Sequence, residues 1–155
     1  MFSASVGCGL TDAAVSPDGR LIAAACRDGT LRLLDASTGA VTGGMTTYFG
    51  APTCCSFSAD GRYVAFGGED DMVVVYGVVE RCPIAHCEGH RSWVSCVRFD
   101  PWAQIGSASG AASIPGLYRI VSGGQDTQMC LWDVQSVPCA DGELPQSPKA
   151  SGGMR

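Results

Sequence analysis

Charged side chains are scarce in this sequence. Asp, Glu, Lys and Arg make up 16% of its 155 residues, and the formal net charge is −5. The Lys and Arg residues form no cluster, whereas proteins that bind nucleic acid or anionic membrane surfaces use clustered basic side chains. This charge pattern therefore argues against both kinds of partner.

Long hydrophobic runs are also missing. No stretch approaches the roughly 20 apolar residues of a membrane-spanning helix, and residues 2–10 lack the basic start and the apolar length of a signal peptide. Hydrophobic residues nevertheless make up 46% of the chain, as in a folded domain with a buried core. We expect a soluble protein of the cytoplasm, the nucleus or both.

The nine cysteines lack the paired Cys-x-x-Cys spacing that marks many zinc and thiol-redox sites. Five potential ligands do fall within fifteen residues: Cys82, His86, Cys87, His90 and Cys96. Without that paired spacing we do not expect them to bind zinc. A catalytic cysteine needs a nearby base and a third group that orients the base, and the sequence identifies neither. We therefore predict reduced, mostly buried cysteines in a chain that is not an enzyme and uses no metal, cofactor or small-molecule substrate.

The sequence repeats with a period of 42 residues. Ser-Pro-Asp-Gly-Arg at residues 16–20 returns as Ser-Ala-Asp-Gly-Arg at 58–62, and a further 42 residues lead to Asp-Pro-Trp at 100–102. Asp28 and Asp70 are also 42 apart. A fixed period of this length indicates stacked supersecondary units rather than one irregular domain.

The third unit contains an insertion. Asp126 follows Asp70 by 56 residues, 14 more than the period, and residues 103–116 are rich in Ala, Ser and Gly, a composition typical of a loop. The predicted organisation is an N-terminal remnant at 1–9, units at 10–50, 51–89 and 90–134 with the loop 103–116 inserted in the last, and a disordered tail at 135–155.

Each unit is predicted to consist of short β-strands separated by turns. In the first unit, strands are expected at 10–15, 21–25 and 31–34 with an outer strand starting near 41, because Asp-Gly turns separate the apolar stretches. Residues 72–76 are apolar without alternation, which favours a strand that is covered on both faces. The fold class is therefore all-β.

Gly-His stands at residues 89–90, where the second unit meets the third, and Trp-Asp at 132–133 lies at the end of the third unit. The third unit resembles a WD repeat, the unit of a β-propeller, whose repeats span about 40–45 residues. In WD repeats a His, a Ser or Thr, an Asp and a Trp form a hydrogen-bonded chain, and the resemblance assigns these roles to His90, Ser122, Asp126 and Trp132. Seven such units need about twice this length, so we expect a partial β-propeller of about three blades of four-stranded antiparallel sheet, a fragment of a larger propeller.

Asp28 and Asp70 occupy the position of Asp126 in the first two units, but the residues that should pair with them are replaced. We expect these two carboxylates to accept hydrogen bonds from turn N–H groups instead. The first two blades would then depend more on packing than on a polar chain.

Several stretches resemble one branch of the WD-repeat proteins, which includes the dystrophia myotonica WD-repeat proteins, WD-repeat protein twenty and the fungal carbon catabolite repression WD-repeat protein. These stretches are residues 48–50, 60–63, 67–71, 89–95, 99–101, 118–119, 124–128 and 130–133. Members of this branch are non-catalytic partners that bind the catalytic domain of ubiquitin-specific proteases and raise its activity. The resemblance implies that function here; the alternative is a scaffold of another complex, such as a substrate receptor of a ubiquitin ligase.

The resemblance also implies where a protease would bind. Phe49 and Trp93 match aromatic positions that contact the protease in that branch, and each lies in a loop from an outer strand into the next innermost strand. We expect partner contacts from Phe49 and Trp93, supplemented by Tyr48 and Arg91. The alternative is that Phe49 fastens its own loop, Trp93 packs under the blade edge and Arg91 is a solvated turn charge.

Overall fold

The computed structural model describes residues 5–102 and 116–135. Nearly all of the predicted inserted loop and the predicted tail beyond residue 135 lie outside the described residues. Eleven β-strands make up the regular structure within them: β1 Leu10–Val15, β2 Leu21–Cys26, β3 Thr30–Asp35, β4 Val41–Thr46, β5 Pro52–Phe57, β6 Tyr63–Gly68, β7 Met72–Gly77, β8 Cys82–Glu88, β9 Val94–Phe99, β10 Leu117–Gly124 and β11 Met129–Gln135. The described ranges contain no helix with the length and apolar character needed to cross a membrane.

The strands form three antiparallel sheets in chain order. β1 to β4 form the first sheet and β5 to β8 the second, while β9, β10 and β11 form the third. Because consecutive strands pair within each sheet, every sheet is a meander, as in a propeller blade. The predicted all-β partial propeller of about three blades is therefore confirmed, with three strands in the described part of the third blade.

The repeated Ser-x-Asp-Gly-Arg sequence is a turn between the first two strands of a sheet. Ser16 Oγ donates to Asp18 Oδ1 over 2.6 Å and accepts the N–H of Leu21 at 2.9 Å. Ser58 makes the same bonds to Asp60 Oδ1 and the N–H of Tyr63, at 2.7 and 3.0 Å. The sequence thus repeats because the first two sheets close their first hairpin with the same side-chain hydrogen bonds.

The second sheet is packed on both faces, which explains the unbroken apolar sequence of β7. Val73 and Val75 belong to the core shared with the third sheet, whereas Val74 and Tyr76 belong to the core shared with the first. Side chains alternate across a strand, so each face of β7 requires its own apolar residues. All six residues of β6 are likewise buried.

The inner strands β1, β5 and β9 lie side by side where neighbouring sheets meet. Thr11 Oγ1 donates to the carbonyl of Pro52 over 2.5 Å, and Asp12 Oδ2 accepts the N–H of Cys55 at 2.9 Å. Further along, the hydroxyl of Tyr118 donates to Asp60 Oδ2 over 2.7 Å. Polar side chains therefore fix the sheets relative to one another, in addition to the two apolar cores.

Candidate functional site

Two loops, at residues 47–51 and 89–93, emerge at the same face of the molecule. The first connects β4 to β5 and the second connects β8 to β9, so each passes from the outer strand of one sheet to the inner strand of the next. Near the start of these inner strands Thr53 Oγ1 donates to the carbonyl of Val94, and at their ends the N–H of Phe99 donates to Ser56 Oγ at 3.3 Å. The two inner strands therefore run in the same direction, and we call the surface formed by the two loops the connecting face.

Large aromatic side chains are exposed on the connecting face. The exposed fraction is 90% for Tyr48, 71% for Phe49 and 45% for Trp93. Neither Phe49 nor Tyr48 is covered by its own loop, and Trp93 is half covered. Exposed aromatic side chains of this kind are the usual anchors of protein interfaces.

The first loop is held rigidly beneath its exposed side chains. Thr47 Oγ1 donates toward the carbonyls of Gly29 and Gly50, at 3.0 and 2.6 Å. At the far end the N–H of Ala51 donates to Glu69 Oε2 at 3.1 Å, and the N–H of Glu69 donates back to the carbonyl of Ala51 at 3.1 Å. Tyr48 and Phe49 therefore project from a loop that is tied to the sheets at both ends.

The second loop rests on a buried chain of four polar side chains. Trp132 Nε1 donates to Ser122 Oγ at 2.8 Å, Ser122 Oγ lies 2.8 Å from His90 Nε2, and His90 Nδ1 lies 3.0 Å from Asp126 Oδ2. The carboxylate of Asp126 only accepts, which assigns a proton to His90 Nδ1. With that tautomer His90 Nε2 accepts the hydroxyl of Ser122, whose oxygen accepts the indole N–H of Trp132. Each donor among these four side chains thereby faces an acceptor.

This polar chain also fixes the backbone of the second loop. The N–H of Arg91 donates to Asp126 Oδ2 at 2.9 Å, and the N–H of Gln125 donates to the carbonyl of Trp93 at 2.9 Å. Burial alone would raise the pKa of Asp126, but the N–H groups of Arg91 and Gln128 and the His90 ring lower it below its usual value. A charged carboxylate therefore anchors the loop that carries Arg91 and Trp93.

A cavity of about 660 Å³ opens beside the first loop, between the first two sheets. Charged side chains of both signs reach its walls, with Arg27 and Asp28 from the first sheet and Glu69 from the second. It adjoins the base of the loop through Gly50 and Ala51. The exposed aromatic side chains therefore stand next to a concave polar surface that a partner side chain can enter.

Asp28 and Asp70 differ from Asp126 in their partners. Asp28 Oδ1 accepts the N–H of Thr30 at 3.2 Å and its hydroxyl at 2.6 Å, and Asp70 Oδ1 accepts the N–H of Met72 at 3.5 Å. The other oxygen of Asp70 is buried and has no hydrogen-bond partner. Burial accordingly raises the pKa of Asp70, whereas the Thr30 hydroxyl lowers that of Asp28.

Most described cysteines are packing residues. Cys26, Cys54, Cys55, Cys87 and Cys130 are buried. Burial raises the pKa of Cys54 to about 11 and those of Cys55 and Cys87 to about 12, so these thiols stay protonated and unreactive at neutral pH.

One group of potential metal ligands was missed in the sequence. Within the described ranges, one cluster could hold a metal ion through three side chains: Cys8, Cys26 and Asp28. Their ligand atoms all lie within 4.8 Å of one another. Eighteen residues separate the two cysteines, and no spacing motif marks them, because they meet only when residues 5–9 fold over the first sheet. The five-residue group from Cys82 to Cys96 does not form such a cluster.

Comparison with known proteins agrees with this architecture. The family model described as "WD domain, G-beta repeat" matches residues 2–35, 45–77 and 81–133. The "UBP9-binding protein bun62" of Schizosaccharomyces pombe is 38% identical over 118 residues, which cover 76% of this chain and 20% of that protein. The chain thus spans about a fifth of the length of this curated relative.

Among solved structures, "Crystal structure of RRP9 WD40 repeats" superposes with a TM-score of 0.70 over 86% of this chain and 39% of that chain. Sequence identity between the two is 19%, so the likeness shows the fold alone.

Proposed function

This chain belongs to the WD40-repeat family, and we propose that it acts as a non-catalytic scaffold that binds the catalytic domain of a ubiquitin-specific protease and raises its activity. Fold alone does not select a partner, because propellers host many functions. The Schizosaccharomyces pombe relative supports this partner class: its name describes a UBP9-binding protein and it is 38% identical over most of this chain. That name agrees with the partner implied by the resemblance of the sequence.

The single structural observation that carries the proposal is the pair of adjoining, anchored loops that expose Phe49 and Trp93. A binding site gains affinity when its side chains are held in place before the partner arrives, because less conformational entropy is lost on binding. Both loops meet that condition, since Thr47 and Glu69 hold the first and Asp126 holds the second. Tyr48 and Arg91 lie beside these two anchors in sequence and would contact the protease at the edge of the interface.

Activation of the protease would be allosteric. A scaffold that contacts the protease away from its active site shifts its conformational equilibrium only if it binds the active conformation more tightly than the inactive one. The connecting face would clamp the catalytic domain through Phe49 and Trp93 and so favour the conformation with the better aligned active site. The scaffold contributes no catalytic group of its own.

Hydrolysis of a fluorogenic ubiquitin substrate tests this function. A ubiquitin-specific protease from the same organism is assayed alone, with this chain, and with the Phe49→Ala, Trp93→Ala double variant. We expect a higher rate with the chain and loss of the increase with the double variant. The matched control is Trp102→Ala. Trp102 is 70% exposed, but it comes after the end of β9, whereas Trp93 comes directly before its start.

An unchanged rate, from a chain that binds the protease, would contradict activation and leave a binding scaffold. An unchanged rate without binding would contradict the partner class and favour another complex, such as that of a ubiquitin ligase. If the double variant still activates the protease, the contact lies on a surface other than the connecting face.

A further inference from the structure

The segment before β1 is fastened over the outer face of the first sheet. Val6 and Cys8 pack against the buried side chains of Ala24, Cys26 and Leu34. Arg32 Nη1 donates to the carbonyl of Val6 at 2.5 Å, and the N–H of Arg27 donates to the carbonyl of Gly9 at 2.8 Å. Cys8 is thereby held between two backbone anchors.

This packing brings two thiols and a carboxylate together. Cys26 is fully buried near the end of β2, Cys8 is half-buried above it, and Asp28 is exposed in the turn that follows. Their sulfur and carboxylate oxygen atoms all lie within 4.8 Å of one another. In a tetrahedral zinc site with bonds of about 2.0–2.3 Å, neighbouring ligand atoms lie roughly 3.5–3.8 Å apart, so side-chain shifts of about 1 Å place all three atoms on one ion.

The carboxylate of Asp28 is already oriented by its neighbours. Its Oδ1 atom accepts the N–H and the hydroxyl of Thr30 at 3.2 and 2.6 Å, while its Oδ2 atom is paired with the guanidinium of Arg32. Metal-binding carboxylates are commonly held by hydrogen-bonding partners of this kind, which fix their direction. Arg32 therefore links the ligand set to the backbone of the segment that carries Cys8.

We propose that Cys8, Cys26 and Asp28 form a binding site for one thiophilic divalent ion of the zinc type. Two sulfur ligands select such ions over magnesium or calcium, which prefer oxygen. On binding, each thiol releases its proton to solvent and each sulfur forms one bond to the ion. The ion and the Arg32 guanidinium together balance the charges of two thiolates and one carboxylate, as burial near the sheet requires.

Three protein ligands would leave a tetrahedral ion one position for a water molecule, and Asp28, the exposed member of the three, is where solvent reaches the site. Bound metal would join the segment before β1 to the end of β2 and to the following turn. The site thus fastens the segment before β1 to the first blade. Asp28 also lines the cavity beside the first loop, but none of the side chains proposed to contact the protease is a ligand of the ion.

Cobalt titration of the full chain tests the site. The protein is prepared without metal in a phosphine reductant, and Co²⁺ is added while the sulfur-to-cobalt charge-transfer absorption is recorded. We expect this absorption to saturate at one Co²⁺ per chain and to disappear when Zn²⁺ is added. Cys8→Ser is the informative variant because Cys8 is half-buried and precedes β1, so the fold does not depend on it as it does on Cys26.

Cys8→Ser and Asp28→Asn should each weaken Co²⁺ binding by at least about 10-fold, since even outer-shell partners of a metal contribute that much. Cys96→Ser removes an exposed thiol on β9 and should change nothing. The circular dichroism spectrum of each variant verifies its fold. Absence of the sulfur-to-cobalt absorption in the reduced chain, or an unchanged absorption in Cys8→Ser, would overturn the proposal.

Discussion

The hydroxyl of Thr53 donates a hydrogen bond to the carbonyl of Val94. Thr53 lies near the start of β5 and Val94 is the first residue of β9, so this bond joins the two inner strands directly after the loops that carry Phe49 and Trp93. Thr11 makes the corresponding bond to Pro52 between the first and second sheets. The spacing of loops on the connecting face therefore follows from a contact that is repeated between successive blades.

Removal of His90 should destabilise the third blade. His90→Ala leaves the buried hydroxyl of Ser122 without its acceptor and removes one donor from Asp126, which keeps the N–H groups of Arg91 and Gln128. An unsatisfied buried polar group costs about 1–3 kcal/mol. Urea unfolding, followed by circular dichroism, measures the loss. The control is His86→Ala, at a half-buried histidine of β8; equal losses from the two variants would contradict a structural role for the polar chain.

Removal of the Tyr118 hydroxyl should weaken the contact between the second and third sheets in a pH-dependent manner. Burial disfavours the charged form of Asp60 and by itself raises its pKa. Hydrogen bonds from Ser58 and Tyr118 outweigh this effect, so the pKa of Asp60 lies below its ordinary value of 3.8. A lowered carboxyl pKa stabilises the fold above pH 3.8, and this stabilisation is lost as the pH falls through the folded-state pKa.

Tyr118→Phe should therefore lower the free energy of unfolding by roughly 1 kcal/mol at neutral pH, and the difference from the unmodified protein should shrink in acid. Urea unfolding at a series of pH values measures both effects. Tyr48→Phe, at a side chain 90% exposed, is the control and should have no effect. A loss from Tyr118→Phe that is independent of pH would contradict the assigned contact with Asp60.

Asp70 and Asp28 should respond in opposite directions to the same substitution. Burial raises the pKa of Asp70, so its charge destabilises the fold above that pKa, and Asp70→Asn should stabilise the protein at neutral pH. The gain is roughly 0.5 kcal/mol, since solvent screens a half-buried carboxylate, and it should fade as the pH falls toward 3.8.

Asp28→Asn should instead destabilise the protein at neutral pH, because hydrogen bonding by Thr30 lowers the pKa of Asp28. This loss should also fade in acid, as the carboxyl is protonated in both states. Thermal unfolding of both variants at neutral and acidic pH measures the two effects, and shifts of the same sign would contradict the assignment.

Gly50 should be required for the shape of the first loop. Its φ of +64° favours glycine, and a Cβ atom there would lie 2.6 Å from the side chain of Glu69. Gly50→Ala should displace Glu69 from Ala51 and weaken partner binding through Phe49. Gly19→Ala is a matched control, because Gly19 has a φ of +72° but open space around it; equal effects on binding would contradict the role of the contact.

Much of this fold could be predicted because local signals recur in each unit. The strand expected at residues 72–76 corresponds to β7 at Met72–Gly77, and that expected at 10–15 corresponds to β1 at Leu10–Val15. Asp-Gly turns mark strand ends through bonds that span only a few residues, so a sequence pattern can reveal them. The largest difference is in the third unit, where a strand is expected at residues 118–122 and β10 runs over Leu117–Gly124. Its added residues pair with β11 and β9, and these pairings between strands leave no mark on the local sequence.

The candidate sites depend on distant contacts and were predicted less fully. Ser122 and Trp132 could be assigned roles only through the resemblance to a known repeat, since a serine and a tryptophan alone indicate no hydrogen bond. The meeting of Cys8 with Cys26 had no signal, because it depends on how the segment before β1 packs on a sheet. Partner contacts by Tyr48, Phe49, Arg91 and Trp93 stay predictions, although the exposure of the three aromatic side chains supports them.

Binding affinity for the catalytic domain of a ubiquitin-specific protease tests the central claim most directly. Isothermal titration calorimetry compares the unmodified chain, the Phe49→Ala, Trp93→Ala double variant and the Trp102→Ala control. Truncation of two interface anchors at about 2 kcal/mol each should raise the Kd by at least about 100-fold, while the control keeps the affinity of the unmodified chain. A double variant that binds as tightly as the unmodified chain would contradict a protease-binding role for the connecting face.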